Sequence, residues 1–136
     1  MSELIRSMTV LQVADLQRSL DFYTGRLGFS SHGSWGDPPC FAIVQRGAVT
    51  FALDETRETG APVPGNQYWA AYLYVTGVRD LLESFRKAGV PIERELEETP
   101  YGLLDFDIRD PDGHVIAFGE DLQPRPGVGP GLARLD

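Results

Sequence analysis

Residues 8–29 read MTVLQVADLQRSLDFYTGRLGF, and this stretch decides the fold because its hydrophobic period changes partway along. The first residues alternate between apolar and polar side chains, as in a strand with one buried face. Asp15 then occupies the position of a helix N-cap, and Gly28 supplies a stop. Between them, large apolar side chains recur at spacings of three and four, at Leu16, Leu20, Tyr23 and Leu27. The stretch therefore predicts a strand followed by an amphipathic helix.

The same change of period occurs again in residues 70–92, AAYLYVTGVRDLLESFRKAGVPI, 62 residues further along the chain. An alternating run extends to Val75, and Thr76 and Gly77 form a turn. A second helix is expected to carry its apolar face up to Gly89, with Val78, Leu81, Leu82 and Phe85 on that face. The chain therefore contains two strand-helix segments of one design.

A strand-turn-strand pattern follows each of these segments. FAIVQRGAVTFALDE (41–55) and FDIRDPDGHVIAFGE (106–120) are both fifteen residues long and align with an offset of 65. Self-similarity of this length indicates duplicated supersecondary units that bury their apolar faces. The prediction is an α+β fold made of two repeated modules.

The predicted organisation is a single domain spanning residues 1–122. Its two modules cover about 5–55 and 68–121, and a Gly- and Pro-containing linker, 56–67, joins them. Residues 123–136 are rich in Pro and Gly and are expected to form a mobile tail or an arm. Neither the linker nor the tail is expected to carry catalytic residues.

Composition excludes several classes of function. No apolar run approaches the roughly 18 residues that a membrane span needs. The N-terminus lacks the apolar core of a secretory signal, and the single cysteine, Cys40, has no intrachain partner, which favours a cytoplasmic protein. The formal net charge of -8 repels phosphate backbones, so nucleic acid is not expected as a partner.

Three stretches together carry a family resemblance: VADLQRSLDFYTGRLGF (13–29), YVTGVRDL (74–81) and YGLLDFDIRDPDGHVIAFGE (101–120). The sequence resembles the glyoxalase, bleomycin-resistance and extradiol dioxygenase superfamily, or vicinal oxygen chelate fold, over roughly residues 8–121, and most resembles its bleomycin-resistance branch. The resemblance implies paired β-α-β-β-β modules whose curled mixed sheets enclose a cavity, often completed by a second subunit. It does not imply one activity, because this fold supports many.

The resemblance also implies where a divalent metal would be held in the enzymes of the superfamily. Such a site needs imidazole or carboxylate donors. The corresponding positions here are Met8, Ala52, Ala70 and Ala117. None of these side chains is a donor for a hard or borderline divalent ion, so neither a metal nor another cofactor is expected.

Other candidate catalytic residues have simpler structural interpretations. His114 follows the Asp-Pro-Asp-Gly turn of residues 110–113 and is interpreted as part of that turn. His32 is placed in the loop SSHGSWGDPP (30–39) at the surface, and Cys40 is interpreted as a small packed residue without a base beside it. A metal-free proton transfer by paired carboxylates stays open.

Alternation along the strands instead predicts a wall for binding a small molecule. If Met8 and Ala70 face the cavity, their strands present glutamine and phenol rings there, and the following DFD segment adds carboxylates. Rings and carboxylates suit a planar or cationic compound. The predicted contacts are Gln12, Trp35, Trp69, Tyr72, Tyr74, Tyr101, Asp105 and Asp107. The alternative is that these aromatic residues are ordinary strand formers.

The leading hypothesis is a metal-free small-molecule binding protein of the bleomycin-resistance type, related to antibiotic resistance. Binding is favoured over catalysis because the chain lacks the metal donors described above. The protein is expected to be a homodimer that sequesters an aromatic or cationic compound. The alternatives are a glyoxalase-like lyase, isomerase or dioxygenase with a non-standard metal site, and a scaffold or regulatory domain whose cavity is filled.

Overall fold

A computed structural model describes residues 1–55 and 68–123 of the chain. The predicted linker, 56–67, and most of the predicted tail, 124–136, lie outside these residues. No helix among the described residues is long and apolar enough to cross a membrane. The elements in chain order are β1 (Met8–Val13), α1 (Leu16–Gly25), β2 (Ser30–Trp35), β3 (Phe41–Arg46), β4 (Val49–Glu55), β5 (Trp69–Tyr74), α2 (Val78–Lys87), β6 (Ile92–Glu98), β7 (Leu103–Arg109) and β8 (Val115–Asp121).

The described residues form two compact units. The first contains residues 1–55 together with 110–114. Its four strands form one sheet in the order β1-β4-β3-β2, in which β1 is parallel to β4 and the other pairs are antiparallel. The buried face of α1 supplies Tyr23, whose ring lies 5.9 Å from that of Phe29 and 5.6 Å from that of Phe51. This aromatic cluster is the core of the first unit.

The second unit contains residues 68–109 and 115–123. Its sheet has the order β5-β8-β7-β6, which repeats the order of the first sheet, with β5 parallel to β8. The core is again aromatic: the ring of Phe85 on α2 lies 6.1 Å from that of Phe106 and 5.2 Å from that of Phe118. The predicted α+β fold of two β-α-β-β-β modules with mixed sheets is therefore confirmed.

Equivalent glutamates hold the start of each helix. Glu55, at the end of β4, accepts a hydrogen bond from the backbone N–H of Leu16 at 2.8 Å. Glu120, near the end of β8, accepts one from the backbone N–H of Val78 at 3.1 Å. A carboxylate in this position pairs with N–H groups that have no partner inside the helix and interacts favourably with the helix dipole.

Two local predictions differ from the structure. Helix α1 ends at Gly25, so the stop comes before Gly28, and Leu27 is buried after the helix end. His32 is exposed as predicted, but it lies within β2 and not in a loop. The alternation of apolar and polar residues in this strand is weak because β2 lies exposed at the edge of the sheet. Its backbone pairs with β3, and the register shifts between Ser31 and Ser34.

Candidate functional site

Two rows of side chains cross one face of the second sheet. In the first row, Tyr72 on β5 pairs with Ala117 on β8, Ala117 with Asp107 on β7, and Asp107 with Arg94 on β6. Directly paired residues point to the same face of a sheet, so this row is continuous. It brings a phenol, a carboxylate and a guanidinium onto a single surface.

The second row lies two residues from the first on β5, β7 and β8, and three residues from it on β6, across a register shift. Tyr74 pairs with Gly119, Gly119 with Asp105, and Asp105 with Glu97. Because side chains alternate along a strand, the second row shares its face with the first. The opposite face of β7 carries Phe106, which packs in the aromatic core.

The ring of Tyr72 runs diagonally from the first row to the second. Its hydroxyl donates a hydrogen bond to Oδ2 of Asp105 at 2.8 Å. On the way the ring passes over Gly119, where a Cβ atom would overlap the hydroxyl oxygen and lie 2.7 Å from Cζ. The tyrosine therefore lies against the backbone of β8.

Two further rings flank Tyr72. The Trp69 ring lies 4.8 Å from it at an interplanar angle of 65°, and the Tyr74 ring lies 5.3 Å away at 56°. Trp69 is 46% exposed and Tyr74 is 52% exposed, whereas Tyr72 is half-buried. The indole N–H of Trp69 donates to Oδ1 of Asp107 at 3.2 Å. These three residues form the aromatic row of the site.

Both carboxylates of β7 lie beneath this row and are already bonded. Asp105 is fully buried and Asp107 is buried. Arg94 donates from Nη2 to Oδ1 of Asp105 at 2.6 Å, and from Nε and Nη2 to the two oxygens of Asp107 at 3.0 Å. The carboxylates are thus linked to the rings above them by the hydrogen bonds that they accept from Tyr72 and Trp69.

The remaining groups of the cluster are Glu97 and Tyr101. Glu97 Oε1 lies 3.0 Å from Nη1 of Arg94, at an angle outside hydrogen-bond geometry. The hydroxyl of Tyr101 donates to Oδ2 of Asp105 at 3.3 Å. Three carboxylates surround one guanidinium, so the cluster keeps a formal charge of about minus two and attracts cations.

The environment keeps these donors protonated. Burial raises the pKa of Tyr72, and the hydrogen bond to Asp105 and its negative charge raise it further. Burial also raises the pKa of Tyr101, again with help from Asp105. For Arg94, burial alone would lower the pKa, but hydrogen bonds to Asp107 and Asp105 outweigh it and raise the pKa. At neutral pH the phenols are hydrogen-bond donors and are not available as bases.

The positions that would hold a metal do not fit one. Met8 is 44% exposed on β1 and Ala52 is buried on β4, both in the first unit. Ala70 is exposed on β5 and Ala117 is buried on β8, both in the second. Three of these side chains have no donor atom and the fourth is a thioether, which does not suit the hard or borderline divalent ions of such sites. Within residues 1–55 and 68–123, His, Cys, Asp and Glu nowhere form a group of three that could hold a metal ion.

The residues predicted in the first unit lie at its surface. Gln12 is exposed on β1, and its neighbours Leu11 and Val13 are buried. Trp35 is 50% exposed on β2, with its ring 6.1 Å from that of Phe41. The structure therefore assembles six of the eight predicted residues in the second unit, and it places Gln12 and Trp35 in the first.

His114 has the structural role predicted for it. It is buried, its backbone N–H donates to Oδ1 of Asp110 at 2.9 Å, and its Nε2 lies 2.7 Å from the carbonyl oxygen of Gln12. All three residues belong to the first unit. The ring nitrogen is thus occupied by the backbone.

Three residues of the cluster were not predicted from the sequence: Arg94, Glu97 and Gly119. Arg94 and Gly119 each left a signal. Arg94 is the basic residue within IERELEE (92–98), a segment otherwise dominated by acidic side chains, and it precedes the acidic strand β7. Gly119 is a glycine inside a predicted strand, which often marks the close approach of another group.

Comparisons with known proteins agree with this fold. The family model described as the glyoxalase/bleomycin resistance protein/dioxygenase superfamily matches residues 6–118. A lactoylglutathione lyase from Escherichia coli O157:H7 is 31% identical over 130 residues, which cover 89% of this chain and 96% of that enzyme.

Solved structures give the same result. The bleomycin-binding protein of Streptomyces verticillus, in complex with copper(II)-bleomycin, is 26% identical with a TM-score of 0.68, and the match covers 87% of this chain and 97% of that one. TnmS3, an antibiotic-binding protein from Streptomyces sp. CB03234, is 21% identical with a TM-score of 0.71 over 89% of this chain and 98% of that one; at this identity the likeness concerns the fold alone. The repeated modules, the matched family model and these relatives lead to one conclusion: the chain belongs to the glyoxalase/bleomycin resistance protein/dioxygenase superfamily.

Proposed function

We propose that this protein binds a planar aromatic compound, with or without positive charge, and sequesters it without chemical change, as a bleomycin-resistance-type protein. The observation that carries the proposal is the aromatic row of Trp69, Tyr72 and Tyr74, in which the rings of Trp69 and Tyr74 contact that of Tyr72 and are each about half exposed. Exposed rings in a prearranged group are suited to stacking with a flat ligand.

Electrostatics supports the same class of ligand. The negative charge of the cluster around Arg94 favours a cation near the rings, and a cation over an aromatic face gains about 0.5–2 kcal/mol. However, Asp105 and Asp107 are buried and already bonded to Arg94. Stacking is therefore proposed as the main source of affinity. Electrostatic attraction between the negatively charged cluster and a cationic ligand is proposed as the secondary source.

The kinship with a drug-binding protein adds support. The Streptomyces verticillus protein, which is 26% identical, was solved with copper(II)-bleomycin bound. In the present chain the four positions that the resemblance links to metal binding are Met8, Ala52, Ala70 and Ala117. Side chains without hard donors favour binding over metal-assisted catalysis.

Calorimetric titration with copper(II)-bleomycin and with metal-free bleomycin tests the proposal. We expect saturable binding, weakened about tenfold by Tyr74→Ala, because an aromatic contact contributes about 0.5–1.5 kcal/mol beyond its buried area. Tyr74→Phe is the matched control, since it keeps the ring and should bind within about twofold of the natural protein. Heats of dilution alone with both forms of the drug would contradict the proposal.

The predicted contacts of the first unit, Gln12 and Trp35, belong to the same proposal and call for the same titration with Gln12→Ala and Trp35→Ala.

A homodimer in the cytoplasm is also proposed. Light scattering at several protein concentrations should give twice the 15.0 kDa mass of the chain. A mass of one chain at every concentration would contradict dimerisation.

A second candidate is a glyoxalase-like lyase, isomerase or dioxygenase with a non-standard metal site. The observation in its favour is the 31% identity to a lactoylglutathione lyase across nearly the whole length of that enzyme. Elemental analysis of untagged protein, after incubation with nickel, zinc, manganese and ferrous iron in turn, separates the two. One bound ion per chain together with lyase turnover would favour the enzyme, whereas neither is expected for a sequestering protein.

A further inference from the structure

We propose that Gly119 and Asp105 are positioning residues that hold the Tyr72 ring against β8, and so form the floor on which a planar ligand stacks. Their effect on the ring follows from the geometry alone. Their effect on a ligand rests on the function proposed above. Neither residue needs to touch the ligand, because both act through Tyr72.

Space is the reason for a glycine at position 119. A Cβ atom there would overlap the Tyr72 hydroxyl and lie 2.7 Å from Cζ and 2.9 Å from Cε1. The φ angle of Gly119 is not in the left-handed region, so an L side chain would meet no backbone strain. At Gly25, in contrast, a Cβ atom would meet nothing within 4 Å. The obstacle to a side chain at 119 is therefore Tyr72 itself.

Asp105 fixes the far end of the same ring. Its Oδ2 accepts from Tyr72 at 2.8 Å, while its Oδ1 accepts from Arg94 at 2.6 Å. Because the carboxylate is fully buried and held by the guanidinium, the acceptor has a fixed position. A hydrogen bond to a fixed, charged acceptor restricts the rotation of the phenol more than one to water would.

Three restraints therefore converge on one ring. Gly119 permits close contact along the strand, Asp105 anchors the hydroxyl, and Trp69 and Tyr74 flank the ring at 65° and 56°. A receptor surface that is ordered beforehand loses little freedom when a ligand binds. The arrangement selects a flat ring system that lies on Tyr72 and fits between the two inclined neighbours.

A double-mutant cycle tests this assignment. Gly119→Ala is made in the natural protein and in a Tyr72→Ala background, with Gly25→Ala as the control glycine. Urea unfolding midpoints and near-ultraviolet circular dichroism are recorded without ligand. We expect Gly119→Ala to lower the midpoint and change the aromatic spectrum of the natural protein, and to do neither in the Tyr72→Ala background, where the space is vacant.

Rescue keeps the test decisive if the single variant does not fold. A double variant that folds where Gly119→Ala alone does not would support the assignment, and failure of both would overturn it. Equal midpoint shifts in the two backgrounds, or an aromatic spectrum left unchanged by Gly119→Ala, would also overturn it. Asp105→Ala should alter the aromatic spectrum as well, and no alteration would count against the anchoring role.

Titration of the same variants with copper(II)-bleomycin separates the two proposals. If the natural protein binds the drug, Gly119→Ala is expected to weaken binding at least tenfold while Gly25→Ala leaves it unchanged, and equal affinities for all three would overturn the role in binding. If the natural protein does not bind the drug but the cycle shows coupling, the positioning of Tyr72 stands and the proposed function fails.

Discussion

At the scale of single residues, Arg94 is the group on which the buried charges depend. It donates to both Asp105, which is fully buried, and Asp107, which is nearly so. Arg94→Met would leave two carboxylates in a poorly solvated place without their cation. Removing one partner of a buried ion pair costs about 3–5 kcal/mol, and the partial exposure of Arg94 puts the expected loss near the lower end. The free energy of unfolding in urea measures it.

A matched arginine provides the control. Arg86 pairs with Glu95, and both side chains are well exposed. Exposed pairs contribute about 0–1 kcal/mol, so Arg86→Met should change stability much less than Arg94→Met. Similar losses for the two variants would mean that the cluster around Arg94 is not an energetic unit.

Strand alternation was sufficient to put Tyr72, Tyr74, Asp105 and Asp107 on one face, because the side-chain period of a strand is two. It was not sufficient for Arg94. Register shifts on either side of this residue, between Ile92 and Arg94 and between Arg94 and Glu97, break the period of β6. Which residue lies opposite Asp107 is then decided by pairing between strands and not by the local pattern.

At the scale of elements, the two helices begin in related but unequal ways. Asp15 accepts from the backbone N–H of Arg18 in α1, and Glu55 accepts from that of Leu16. The N-cap residue of α2 is Gly77, which has no capping side chain, so the N-terminus of this helix relies on Glu120. The repeat Glu55/Glu120 was visible in the sequence, but its purpose was not, because a carboxylate from a distant strand leaves no capping pattern next to the helix.

This inequality predicts different costs for equivalent substitutions. Glu120→Ala should destabilise the protein by about 0.5–2 kcal/mol, the usual range for a lost N-cap. Glu55→Ala should cost less, because Asp15 still caps α1. The two free energies of unfolding in urea are the measurement. A larger loss for Glu55→Ala would show that the glutamates do not act mainly as caps.

At the scale of the whole molecule, protonation of Asp110 should contribute to the pH dependence of the free energy of unfolding. Burial raises the pKa of its carboxyl, although His114, the Tyr23 hydroxyl and the backbone of Asp112 oppose the rise. At pH values between the ordinary pKa of an aspartate, about 3.9, and the raised pKa of Asp110, the native state binds more protons than the unfolded state. This contribution to stability is therefore fully present below the unfolded pKa and is lost as the pH rises through the folded pKa.

We expect the natural protein to gain stability relative to Asp110→Asn as the pH falls from 7 towards 4. Glu93 provides a control of opposite sign, because its hydrogen bond to Arg109 lowers its pKa. Relative to Glu93→Gln, the natural protein should lose stability over the same range. Urea midpoints at several pH values measure both differences, and a difference from Asp110→Asn that does not vary with pH would refute the assignment.

The turn of residues 110–114 carries a final consequence, because it belongs to the first unit although it is encoded between the last two strands of the second. Within that unit, Asp110 accepts from the Tyr23 hydroxyl and Asp112 from Arg18. A ribosome makes Tyr23 and Arg18 long before it makes these aspartates. The half of the gene product that is synthesised first is thus completed late, and the order of translation is not the order in which the native contacts can close.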